Sequence, residues 1–238
     1  MPQPPPFTPP VRVRHAEPSM LFSADDDSSQ PNDRLFDLAL RAIQVARGAD
    51  LAPISERMKT PPFYPDIWPG EHYKLLAGIV SVLQPRTIIE VGTSTGLSAL
   101  TMKHYLPPGG RVITFDILPW TSFSETCLRQ ADFADGQLIQ HIADLANPEM
   151  VKLFKNELQE AEFIFLDAAK DGVGEQLFID NLRKLPFATP PIVLFDDIRL
   201  WNMLKIWREI QAPKLDVTSF GHWSGTGLVD WIWDEGKK

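Results

Sequence analysis

Two short segments place acidic residues where apolar strands should end: FIFLDAAKDG carries Asp167, and IVLFDDIRL carries Asp196 and Asp197. Carboxylate oxygens ligate hard divalent cations such as magnesium, manganese or calcium. Lys170 follows Asp167 by three residues. Its amine, if neutral, can take a proton from a hydroxyl; if charged, it steadies an oxyanion. Adjacent residues of a strand face opposite ways, so Asp197 joins Asp196 only if a turn begins there.

A second constellation lies upstream in TIIEVGTSTGLSAL. An apolar run ends in Glu90, breaks at Gly92 and Gly96 with GxxxG spacing, and resumes at helical period. Glycines there allow close backbone approach to a ligand, and free N–H groups at the following helix start can donate to it. The GxGxxG dinucleotide spacing is absent. Asp116 ends the next strand, VITFD, about as far onward as an acid that grips ribose hydroxyls. Two carboxylates suit a cationic, sugar-bearing cofactor better than a pyrophosphate.

Positioning these groups requires a regular framework. Short β-rich runs cover 87–91, 111–115, 137–142, 162–166 and 192–195, separated by the amphipathic stretches SALTMKHYL, PEMVKLFKNEL and EQLFIDNLRKL. Strands alternating with helices predict right-handed crossovers and a parallel, doubly wound α/β sheet. LDVTSFG and GLVDWIW, joined by HWSGT without a helix, predict a C-terminal hairpin whose last strand runs antiparallel. Ahead of the first strand, LFDLALRAIQVARG predicts a helix with Leu35, Leu38, Leu40, Ile43 and Val45 near one stripe, and HYKLLAGIVSVLQ predicts another. Residues 1–31, rich in Pro, Ser and Asp, are expected to stay flexible, and 32–238 to form one domain.

Composition narrows the function. The 238-residue chain carries 31 acidic and 23 basic side chains, a net charge of -8 with no basic patch, so nucleic acid is not an expected partner. One cysteine, Cys127, excludes an intramolecular disulfide. No apolar run has the length of a membrane span and no secretory signal is evident, so a cytoplasmic setting is expected.

The segments PGEHYKLL, EVGTSTGLSAL, the Asp116 strand end, FLDAAK and FDDIRLW together resemble the class I S-adenosylmethionine-dependent methyltransferases. Within that class the chain is similar to the cation-dependent catechol and caffeoyl-ester O-methyltransferases, from about Pro69 onward. The resemblance implies a Rossmann-like fold with a mostly parallel seven-stranded sheet. It implies that Glu90, Gly92, Thr93, Gly96, Ser98, Asp116 and Asp167 hold the cofactor, with Glu71 ahead of the first strand and Asp144 near the adenine. It places the cation on Asp167, Asp196 and Asp197, the catalytic lysine on Lys170, and transfer onto a small molecule with vicinal oxygens. Asp197 departs from the asparagine usual there, and paired aspartates also resemble the macrolide-type sugar O-methyltransferases. A homodimer, common among look-alikes, is expected to use the first helix.

Other candidates are fewer. His222, in the hairpin tip HWSGTG, and Trp201, just beyond the acidic pair, are candidates to face substrate. Tyr64 and Trp68, in a proline-rich stretch, are candidates for a lid. The remaining histidines lack zinc spacing, Cys127 has no catalytic partner, and Trp207, Trp231 and Trp233 are expected in the core. A nicotinamide-dependent oxidoreductase is the competing enzyme class, and a cofactor-binding module without turnover the non-enzymatic alternative.

Overall fold

The structure is a computed structural model and describes residues 29–59 and 69–233, excluding the side chain of Trp201. The predicted flexible segment 1–31 lies almost wholly outside the described residues, as do Tyr64 and Trp68. Three helices come first: α1 (Asp33–Ala46), α2 (Ala52–Ser55) and α3 (His72–Leu83). Strands and helices then alternate as β1 (Thr87–Val91), α4 (Leu97–His104), β2 (Arg111–Asp116), β3 (Leu138–Ile142), α5 (Pro148–Leu153), α6 (Lys155–Gln159), β4 (Phe163–Leu166), α7 (Gly174–Leu182) and β5 (Ile192–Asp196). After α8 (Trp201–Glu209), β6 (Lys214–Asp216) and β7 (Thr226–Asp230) form the closing hairpin.

The seven strands make one sheet in the order β3-β2-β1-β4-β5-β7-β6. β1 to β5 pair in parallel, while β7 runs antiparallel to both β5 and β6. This is the doubly wound, Rossmann-like α/β architecture read from the sequence. Parallel strands send their carboxyl ends to one edge, where Glu90, Asp116, Asp167 and Asp196 sit. Because β7 is reversed, its first residue, Thr226, pairs with Asp196 at that same edge. The hairpin tip therefore reaches the acidic strand ends.

Alternation along each strand feeds two cores, one per sheet face. Ile88, Phe163, Phe165 and Leu194 pack toward α1, α3 and α4, whereas Ile89, Ile164, Phe195 and Val229 pack toward Phe178, Ile206 and Trp207. Buried side chains of this size contribute about 1.5–3 kcal/mol each. Trp207 and Trp231 are buried as expected, whereas Trp233 is only partly buried against the same core.

The α1 stripe differs from its prediction. Leu35 and Leu38 are buried, but Leu40 and Val45 face outward, and Ala39, Ala42 and Ala46 fill the contact instead. The cause is a close helix crossing. A Cβ on Gly78 of α3 would lie 2.2 Å from the Ala42 carbonyl oxygen, so at that crossing point only small residues fit. PEMVKLFKNEL likewise divides at Phe154 into α5 and α6.

Candidate active site

The glycine turn after β1 forms as its residues demand. Gly92 has φ +101°, and a Cβ there would strike the Asp167 carbonyl oxygen at 1.9 Å. Gly96 has φ +83° and presses against Leu128. Only glycine tolerates both the left-handed backbone and the contact. Asp116 closes the turn from β2: its Oδ2 accepts the N–H groups of Thr93 (2.9 Å) and Ser94 (3.0 Å), and its Oδ1 that of Leu118 (3.0 Å). Thr93 is buried, with its hydroxyl 2.7 Å from that of Thr114. Glu90 is fully buried, and desolvation raises its pKa to about 8 in spite of the neighbouring Ser98 and Thr114 hydroxyls.

Over this edge opens a cavity of about 480 Å³, within the size range of small-molecule sites. Gly92, Asp116, Asp144 and Asp167 line it, together with the apolar Phe115, Leu118 and Phe178. Of the predicted cofactor residues, Glu90, Thr93, Gly96 and Ser98 build the turn from behind, without lining the cavity. Glu71 precedes α3, lies 4.0 Å from Lys74 and is not among the residues that line the cavity.

Asp167 joins the cavity to an acidic cluster. Lys170 Nζ lies 2.8 Å from Asp167 Oδ1, 3.0 Å from Asp197 Oδ2 and 3.8 Å from Asp196 Oδ2. Asp197 has φ +59°, so a turn does begin at the end of β5 and swings its carboxylate to the side of Asp196. Lys170 is also left-handed, at φ +62°. Burial works against the ammonium, but Asp167, Asp196 and Asp197 outweigh it and lift the Lys170 pKa further above its ordinary value. Burial, reinforced by Asp167, drives the Asp196 pKa well up. Asp197 moves the other way: the Lys170 ammonium and the Ser224 hydroxyl overcome its burial.

Three neighbours carried weak or no sequence signal. His72, at the start of α3, is buried with Nδ1 3.6 Å from Asp196 Oδ1, and desolvation lowers its pKa to about 3. Ser224, in the hairpin tip, touches both Asp197 and His222 through its hydroxyl. Glu175, buried at the start of α7, accepts the backbone N–H groups of Lys170 (2.5 Å) and Gly172 (3.0 Å) and fixes the lysine loop. An acid five residues beyond the lysine was the available signal. His222 itself lies in the cluster, 3.4 Å from Asp197 Oδ1. Trp201 opens α8, and its side chain lies outside what is described.

Comparison with known proteins places the chain. Residues 59–201 match the O-methyltransferase family, well over half the chain, and the chain belongs to that family. A probable caffeoyl-CoA O-methyltransferase 3 of Dictyostelium discoideum is 27% identical over 149 residues, covering 61% of this chain and 57% of that protein. Catechol O-methyltransferase B of Danio rerio is 30% identical over 99 residues, 41% of this chain and 37% of that protein. The alignments thus span between about a third and three fifths of those relatives. An O-methyltransferase from Bacillus cereus, solved in complex with SAH, superimposes with a TM-score of 0.51 at 20% identity, over 84% of this chain and 92% of that one. The cofactor-bound Rv0187 from MTB gives 0.52 at 17% identity, over 85% and 92%. These likenesses support the fold. Membership of this family sets aside the nicotinamide-dependent alternative. No helix among the described residues is long and apolar enough to cross a membrane.

Proposed function

We propose that the chain transfers the methyl group of S-adenosylmethionine to a hydroxyl of a small molecule with vicinal oxygens, a catechol or related phenol, at a site that also holds a divalent cation. The observation that carries this reading is that Asp167 belongs at once to the wall of the cavity and to the Lys170 cluster. A cofactor in the cavity and an acceptor over the cluster would meet across one residue. The names of the family relatives, caffeoyl-CoA and catechol O-methyltransferases, support the acceptor class.

The residues fit both groups. Asp116 and Asp144 offer carboxylates to a cationic, hydroxyl-bearing ligand, while Leu118 and Phe178 supply apolar walls. Three carboxylates against one ammonium leave two negative charges for a divalent cation, and Asp196 Oδ1 is buried without a hydrogen-bond partner among the described residues. When bound, the sulfonium supplies an activated methyl, and the cation lowers the pKa of an acceptor hydroxyl and orients its neighbour. Asp167, Asp196 and Asp197 would hold that ion. Lys170, kept charged by the same carboxylates, would neutralise the negative charge that develops on the acceptor oxygen as its proton leaves to water. Glu175 holds the lysine there, and the apolar walls keep water from competing for the methyl.

Calorimetric titration with S-adenosylhomocysteine, followed by a panel of diols with labelled S-adenosylmethionine and magnesium, tests the reading. Cofactor binding and label on a catechol are expected. Absence of binding at millimolar cofactor would refute it.

A further inference from the structure

One ligand atom each of Asp196, Asp197 and His222 lies within 4.8 Å of the others. The three come from different elements: the end of β5, the left-handed residue after it, and the tip of the β6–β7 hairpin. We infer that His222 is a nitrogen ligand of the divalent cation, alongside Asp196 and Asp197, and that it biases the site toward first-row transition cations. This rests on the cation reading above.

Four observations carry it. His222 Nδ1 accepts the Ser224 N–H at 3.2 Å and also meets the Ser224 hydroxyl, so that nitrogen is unprotonated, and an ion would take its lone pair in place of these two contacts. It lies 3.4 Å from Asp197 Oδ1. Two ligands that share an octahedral edge around an ion at 2.0–2.1 Å sit about 3 Å apart, so small adjustments suffice. The ring is held in place beforehand: it stacks on Trp223 with 5.9 Å between centroids and meets His72 edge-on at 5.4 Å. Its backbone is fixed too, by a bridge to Gly70 and by donation to Thr226 Oγ1 at 2.7 Å. Finally, the unpartnered oxygen of Asp196 belongs to a side chain only 4% exposed, where an acceptor without a donor costs free energy that an ion would recover.

A carboxylate pair alone suits magnesium, calcium or manganese, whereas adding imidazole favours iron, nickel or zinc, and manganese serves here as the paramagnetic probe. The competing role, contact with substrate alone, leaves His222 outside the coordination sphere. The two are separated by spectroscopy without any turnover. Manganese(II) is added to the full chain, affinity is read from free-ion EPR, and pulsed EPR records ¹⁴N modulation of the bound ion.

The expected spectrum shows directly bound imidazole nitrogen in the unmodified chain, which needs no variant to interpret. His222→Gln should lose that modulation and weaken manganese binding by at least about tenfold. His72→Gln should keep the modulation, and circular dichroism confirms that each variant folds. Manganese bound with no nitrogen modulation would overturn the assignment while leaving the cation site standing, as would modulation that survives His222→Gln. No manganese binding at all would overturn both the ligand and the cation reading.

Discussion

Lys170 is held between opposing influences, and its chemistry follows from which wins. Burial alone would lower its pKa, but Asp167, Asp196 and Asp197 surround the amine and keep it charged. Lys170→Ala should therefore lower kcat by about 10²–10³-fold, leaving S-adenosylhomocysteine affinity within a few-fold, measured by steady-state kinetics and calorimetry. Glu90 gives a second prediction at this scale. Its folded pKa of about 8 exceeds the ordinary 4.5, so its contribution to stability is intact below pH 4.5 and is lost as pH rises toward 8. The slope is roughly 1 kcal/mol per pH unit. In Glu90→Gln the side chain cannot ionise, so urea midpoints of the cofactor-free protein between pH 5 and 8 should flatten; an unchanged slope would contradict the assignment. At this scale the sequence was informative about acids and lysine, since apolar strands ending in Asp leave little choice of edge. Ser224 and His72 were not readable, because their contacts depend on how the hairpin register and the start of α3 meet Asp196.

Elements turn these residues into a site. The loop between β4 and α7 is fixed by one buried carboxylate, Glu175, which holds the N–H groups of Lys170 and Gly172. Glu175→Ala leaves those donors unpaired, an expected cost of about 1–3 kcal/mol. It should also lower kcat, while KM for the cofactor changes little; a stability loss with full kcat would show that the loop does not position Lys170. The strands were legible because β-branched and aromatic runs alternate toward two cores. The face of α1 was less so: hydrophobicity favoured Leu40 and Val45, but the close approach at Gly78 selects alanine. A helical stripe records which residues are apolar, whereas a tight crossing is set by which are small.

For the whole molecule, the sheet order gathers every functional group at one edge and leaves the opposite one to structure. The net charge of -8 fits a small-molecule acceptor better than a polyanion. The homodimer expected through the first helix would cover Phe36 and Leu40, which α1 exposes. Sedimentation at micromolar concentration should show two copies, reduced to one by Leu40→Lys; a monomer throughout would contradict it. Under the proposed function, cofactor cavity and acidic cluster form one reaction centre. Labelled methyl transfer to a catechol, assayed before and after EDTA and again with added magnesium or manganese, tests it most directly. Chelation should abolish turnover and the metal restore it; undiminished turnover in EDTA would show that no cation takes part.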